Sequence, residues 1–193
     1  MNRLLFFSNN QNKINEIKKF FGRTQIQIIS LNDLPKINSP KERGMTFAEN
    51  AKIKSLYGFY KFGIPCFADD SGICINALKN KPGIHSKKFL EKFTNKNDAF
   101  NYIINKTKLA KNTLAHFETS ICLTLKTSHY VTFKGVVSGN IAKKIKSTSG
   151  FAYDPLFIPI GYEKTFAQMN LNQKNKLSHR GLALVKLKNF LFN

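Results

Sequence analysis

The sequence has no tryptophan, only three cysteines and few acids: 11 Asp+Glu stand against 31 Lys+Arg. Each shortage excludes something. Cys66, Cys74 and Cys122 are odd in number and widely spaced, which argues against a disulfide framework and against a thiolate zinc site. They read as small buried apolar groups. Arginine is almost missing, with Arg3, Arg23, Arg43 and Arg180 its only occurrences. That weakens a nucleic-acid reading of the net charge of +20, because base-reading surfaces rely on bidentate guanidinium contacts. The lysines are scattered, without a block of five or six. Lys, Asn, Ile and Phe are also what an AT-rich coding sequence over-supplies. The charge therefore reads first as a solvated surface that attracts anionic substrates, and a basic nucleic-acid-binding protein stays as the competing class. No uninterrupted apolar stretch approaches a membrane span. The opening run, RLLFF, is too short for a signal peptide and has no small-residue cleavage pattern behind it, so a cytoplasmic location is expected. Neither a GxSxG nucleophile signature nor a glycine-rich P-loop occurs.

What is present is a globular composition: 42% of 193 residues are hydrophobic, enough for a proper core and for one domain over residues 1–193. RLLFFS (3–8) reads as a buried strand, and NKINEIKKFF after it as a helix with Ile14, Ile17 and Phe21 on one face. QIQIIS (25–30) reads as a strand and 36–46 as a loop. Thr46 and Glu49 form a capping box for a helix that Gly63 and Pro65 end. CFADD is the next strand, with Ser71-Gly72 opening a turn. Residues 79–95 look turn-rich and 96–109 helical. Two long strands meet at a Thr127-Ser128 hairpin turn. Ser178 caps a final helix that stacks Leu184, Leu187 and Leu191. Strands that first alternate with helices and then cluster predict an α/β fold with a mixed sheet.

Five segments hold residues of chemical interest. Asp69 and Asp70 lie side by side at the end of an apolar strand, where a pair of acids can hold Mg²⁺ through oxygen or take a proton from water. An ordinary Asp-Asp-Ser-Gly turn fits the same residues. SNNQNK (Ser8, Asn9, Asn10, Gln11, Asn12, Lys13) opens a helix, so its N–H groups and lysine suit phosphate, although plain N-capping by Asn9 or Asn10 explains it as well. GFAYDP joins Phe151, Ala152, Tyr153 and Asp154 in a turn that could sandwich a base and accept from its ring N–H groups, or simply pack in the core. KNKLSHR places His179 and Arg180 in the first turn of a helix, where the dipole disfavours cations unless an anion or polar ligand offsets them. PGIHSKKF (82–89) is a turn followed by basic residues.

In this order and spacing, the segments resemble the inosine triphosphate pyrophosphatase family, also called Ham1-like. SNNQNKINEI is similar to its N-terminal T/S-x-N-x-x-K-x-x-E box, FAENAKIKS to its helix box, ADDSGICINAL to its central acidic signature, PGIHSKKF to its PG turn, GFAYDPLFIP to its GFGYDPIF box and KNKLSHRGLAL to its K-N-x-x-SHR box. The resemblance implies a mixed, elongated central sheet flanked by helices, in two lobes with a cleft. It implies hydrolysis of ITP, dITP and XTP to the monophosphate plus pyrophosphate, with Mg²⁺, by a homodimer. The lysine bias and the acidic DDSG segment argue against a specific nucleic-acid partner. A pyrophosphatase for pyrimidine or modified nucleotides is the alternative within enzymes. Carried over by position, Asp70 is the general base and a metal carboxylate, with Glu42 and Asp69 as further metal candidates. Ser8 to Lys13, Lys54 and Ser71 contact phosphate. Phe151 to Asp154, Lys174, His179 and Arg180 recognise base and phosphate. Ala152 stands where the family has Gly, Gln168 where it has Glu, and His85, Lys87 and Lys88 where it has Tyr, Ala and Arg.

Overall fold

The computed structural model describes residues 2–147 and 150–192. In chain order these form β1 (Arg3–Phe6), α1 (Gln11–Phe21), β2 (Gln27–Ser30), α2 (Phe47–Phe62), β3 (Cys66–Ile75), β4 (Lys81–Pro82), α3 (Ser86–Leu90), α4 (Lys96–Leu109), β5 (Leu114–Lys126), β6 (His129–Ile141), β7 (Phe157–Pro159), α5 (Leu171–Leu177) and α6 (His179–Phe192). The strands make a mixed sheet of order β2-β1-β3-β5-β6-β7, with β4 paired to β3. β1 runs parallel to β2 and β3, while β4 and β7 pair antiparallel with β3 and β6. The expected α/β class with a mixed, helix-flanked sheet is what forms.

The chain divides into two compact units: Met1–Asp70, Ser120–Lys134 and Ala183–Asn193 in one, Ser71–Thr119 and Gly135–Leu182 in the other. In the first unit, helix starts are fixed by the residues the sequence offers. Asn10 accepts from the backbone N–H of Lys13 at 3.2 Å to cap α1. Thr46 and Glu49 cap α2 reciprocally, and Gly63, at φ +64°, ends it in the left-handed region. The core is built in two layers around β3. Phe67 packs with Ile14, Ile17 and Phe21 of α1 and with Ala183, Leu184 and Leu187 of α6. Cys66 and Ala68 pack with Leu5, Phe7 and Ile29, backed by Tyr57, Phe59 and Phe62 of α2. Neighbouring strand residues face opposite sides of a sheet, so within the first unit Phe67 of β3 faces α1, while Cys66 and Ala68 face the layer backed by α2. Burial holds the thiols of Cys66 and Cys122 above the usual cysteine range, which fits inert filler and not reactive groups.

In the second unit the core joins Ile73 and Ile75 of β3, Phe100 and Ile103 of α4, Phe117 of β5, and Tyr153, Leu156, Phe157 and Phe166. One expectation is corrected here: β3 does not end at the acids, because Ser71-Gly72 continues the strand to Ile75. Gly72 is needed for close approach and not for a turn. A Cβ there would run into the carbonyl oxygen of Gly83 and come within 2.6 Å of Ser86 Oγ. Ser86 Oγ in turn accepts the N–H of Ile73 at 2.9 Å and donates to Gly83 O at 2.6 Å. The stretch 79–95, expected to be turn-rich, also carries β4 and α3, and the lead-in to the last helix is itself helical as α5.

Ala152 adopts φ +49°, the left-handed region that favours glycine. Alanine there costs roughly 1–2 kcal/mol, of which glycine's extra unfolded-state freedom returns about 0.5–1 kcal/mol. Ala152→Gly is therefore expected to stabilise the protein by up to about 1 kcal/mol, read as a higher denaturant midpoint. A lower midpoint would mean that the methyl packs for more than its backbone costs.

Candidate active site

Adjacent positions on a strand send Asp69 and Asp70 to different helices. Asp69 Oδ2 lies 2.8 Å from Lys13 Nζ, at the start of α1, and its side chain is 1% exposed. Asp70 Oδ1 lies 3.0 Å from Lys54 Nζ of α2, and Asn50 Nδ2 donates to its other oxygen at 3.3 Å. Lys54 also reaches Glu42 Oε1 at 3.3 Å, so one ammonium spans two carboxylates. The segment bearing Glu42 is held to α2 by its own contact: Gly44 N–H donates to Asn50 Oδ1 at 2.9 Å. Gly44 must be glycine for this, since a Cβ would sit 2.6 Å from the Glu49 Cβ.

Burial raises the Asp70 carboxyl above the ordinary aspartate range, and the Lys54 charge opposes this without cancelling it. For Lys54, burial pulls downward, but the charges of Asp70, Asp69 and Glu42 outweigh it and hold the ammonium firmly protonated. The first unit thus presents a largely buried carboxylate able to orient and deprotonate water, beside a fixed cation.

The rest of the expected N-terminal phosphate segment is less concentrated. Ser8 Oγ accepts the N–H of Asn10 at 3.2 Å, and Asn10 serves as the cap. Gln11 bonds Asn15 and Asn32 on the surface, Asn12 is exposed, and Asn9 lines a separate groove with Asn32, Ile37 and Tyr57. Of these six residues, only Lys13 joins the acidic cluster.

The second unit gathers the other group. Asp154 Oδ2 accepts the N–H of Phe151 at 2.8 Å and the Lys174 ammonium at 2.5 Å. Asp154 is buried, whereas Phe151 is 38% exposed on the same turn, leaving its ring accessible for stacking. Tyr153 is fully buried and donates to Ser86 O at 2.7 Å. Burial keeps its phenol protonated, so it stays a donor. Lys174 Nζ lies 5.8 Å from the Phe166 ring centre. Phe166 meets Phe117, and Phe117 stacks on the His179 ring at 4.7 Å with an interplanar angle of 8°. Ser178 caps α6 by accepting the N–H of Gly181 at 3.1 Å. His179 and Arg180 are both buried, so the alternative that the pair simply points into solvent fails. The Arg180 guanidinium, buried in the first turn of a helix, opposes its dipole, which fits a place built to receive an electron-rich group. Ser71 Oγ is hydrogen-bonded to Thr119 Oγ1. Gln168 serves where the family has Glu: its Oε1 accepts the N–H of Thr165 at 3.1 Å, a cap that an amide makes as well as a carboxylate.

Asn50, Phe117, Ser86 and Thr119 belong to these two groups and were missed as site residues. Asn50 had a signal, since it precedes Lys54 by one helical turn and so shares its face. Phe117 and Thr119 had none, being ordinary residues of an alternating strand.

Comparison with known proteins gives the family. The model of the Ham1 family matches residues 4–190. A dITP/XTP pyrophosphatase of Flavobacterium psychrophilum is 38% identical over 99% of this chain and 100% of its own. One of Borreliella burgdorferi is 36% identical over 99% of this chain and 96% of its own. The solved Ham1 protein of Coxiella burnetii superposes with a TM-score of 0.88 at 30% identity, covering 100% of this chain and 99% of that one. The Staphylococcus aureus Ham1 protein gives 0.84 at 35% identity, over 98% and 97%. With an acid pair set against lysines, a buried His-Arg start to its last helix and a family match from residue 4 to residue 190, the chain belongs to the Ham1 family.

Proposed function

We propose that the protein hydrolyses non-standard purine nucleoside triphosphates (ITP, dITP and XTP) to the monophosphate plus pyrophosphate, which removes them from the nucleotide pool. The observation that carries this reading is the Asp70–Lys54–Glu42 arrangement: a buried carboxylate, a fixed ammonium and a second acid within 3.3 Å of that ammonium. The names of the relatives, dITP/XTP pyrophosphatases, point the same way.

Asp70 accepts the proton of a water that attacks the α-phosphorus. The new P–O bond forms as the bond to the β-phosphate's bridging oxygen breaks, and pyrophosphate departs with the electron pair. Charge builds on phosphate oxygens in the process, so catalysis is mainly positioning and electrostatics. Lys54 and Lys13 supply fixed positive charge. Mg²⁺ fits the donors present. Among the described residues no three His, Cys, Asp or Glu side chains come together as a closed metal cage. Magnesium needs no such cage, since one or two carboxylates, water and substrate phosphate suffice. Asp70 and Glu42 would hold it, and when bound it would neutralise the polyphosphate charge.

For the base, Phe151 offers a stacking face, and His179 and Arg180 offer donors to a 6-oxo group. Adenine presents an amino group there and leaves those buried donors unpaired, a mismatch that discriminates strongly. Asp154, whose Oδ2 is taken by Lys174 and Phe151, is assigned to holding this turn ahead of touching the base. A homodimer accompanies the proposal on the family resemblance, and a cytoplasmic location is proposed with it.

The expected result is pyrophosphate release from ITP, dITP or XTP with Mg²⁺ at a kcat/KM about 100-fold or more above that for ATP. Equal rates on ATP and ITP would remove the specificity claim, and orthophosphate as first product would remove the reaction class. A panel including pyrimidine triphosphates checks for broader specificity.

A further inference from the structure

We infer that Asp69 is a positioning residue that sets Lys13 against the triphosphate, and not a third metal ligand beside Asp70 and Glu42. The inference rests on the pyrophosphatase reading and assigns the one acid of the pair whose part was open. Three observations carry it. First, β3 is continuous through both acids, so their side chains leave opposite faces of the strand. The neighbours confirm the two rows: Phe67 packs with α1, whereas Cys66 and Ala68 pack with the layer backed by α2. Asp69 continues the α1 row and Asp70 the α2 row. Second, the partners follow those rows. Asp69 meets Lys13 of α1, whereas Asp70 meets Asn50 and Lys54 of α2. Third, among the described residues Asp69, Asp70 and Glu42 do not come together as a group of three that could share an ion.

The Asp69–Lys13 pair has the exposure expected of a holder and its tool. The Asp69 side chain is 1% exposed, while Lys13 keeps 17%. An ammonium has three N–H donors. With one on Asp69 Oδ2, the flexible lysine stem is held in place, so less side-chain freedom is lost when a nucleotide binds. Asp69 therefore acts on nucleotide affinity through Lys13.

The test uses the full-length protein, with Mn²⁺ as a spectroscopic stand-in for Mg²⁺. Asp69→Asn is expected to raise KM for ITP about 10-fold while kcat falls less than about threefold. Its Mn²⁺ affinity, measured by electron paramagnetic resonance without nucleotide, should match the wild type. In a Lys13→Met background the same change should move KM by no more than about twofold, because the main residue through which Asp69 acts is gone and only its charge effect on Lys54 is left. A drop of about tenfold in Mn²⁺ affinity, or equal effects in both backgrounds, overturns the inference while leaving the pyrophosphatase reading intact. A wild type that releases no pyrophosphate from any nucleotide overturns both. If Asp69→Asn alone does not fold, the uncharged pair Asp69→Asn/Lys13→Met is compared with Lys13→Met, and weaker Mn²⁺ binding by the pair counts against the inference.

Discussion

Asp70→Asn is expected to lower kcat for ITP by about 100- to 10,000-fold, the usual worth of a positioned general base. The fold should survive. Asparagine keeps the shape of aspartate and retains an acceptor for Lys54, and Lys54 still has Glu42 at 3.3 Å. The amide also escapes the burial that raises the Asp70 carboxyl, so no new desolvation cost appears. The measurement pairs pyrophosphate release at saturating ITP and Mg²⁺ with thermal melting followed by circular dichroism. A variant that melts like the wild type and keeps kcat within about threefold would take Asp70 out of the proton-transfer step. Loss of activity together with loss of the melting transition would require the isosteric test to be repeated at Glu42, whose 45% exposed side chain makes a fold effect small.

Most of the fold was legible because the local signals agreed with one another. The cap at Thr46-Glu49, the glycine stop at Gly63, the hairpin turn at Thr127-Ser128 and the Ser178 cap all act where the sequence places them. The failures share one cause. Ser71-Gly72 has turn chemistry, but its glycine is used to admit the Gly83 carbonyl, and only tertiary contact distinguishes the two uses. Likewise α3 and α5 are short helices whose composition reads as loop, and packing decides them.

For the candidate site, the sequence shows residues of interest but not how they pair. Asp69 and Asp70 read as a twin unit, yet a strand's alternation separates neighbours and gives each a different lysine in direct contact, 41 positions apart in sequence as Lys13 and Lys54. No spacing rule connects Asp69 to a residue on α1; the parallel pairing of β1 with β3 does. The basic pair His179-Arg180 stands out in the sequence against the helix dipole, and the burial of both residues removes the solvent-facing explanation. The aromatic stack under His179 had no sequence signal, since Phe117 lies in a strand whose alternation already explains it.

Asp154 illustrates how such pairing changes a role, and its removal should carry a large cost. Its Oδ2 holds both the Lys174 ammonium at 2.5 Å and the Phe151 N–H at 2.8 Å, with its side chain 6% exposed. Breaking a buried ion pair from one side usually costs about 3–5 kcal/mol. Lys174 keeps 19% exposure and recovers some hydration, so Asp154→Ala is expected to lose about 2–4 kcal/mol, read from the urea midpoint. Much of that loss belongs to the stranded lysine. Adding Lys174→Met should therefore restore about half of it, and the two changes should couple strongly. Asp154→Asn keeps an acceptor for Phe151 but loses the charge, so it should fall between. Each variant should also raise KM for ITP more than it lowers kcat, because the exposed Phe151 ring is placed by this turn. Additive losses from Asp154→Ala and Lys174→Met would show that the two side chains act independently. In that case the carboxylate would be free to serve the base directly, as the family position implies.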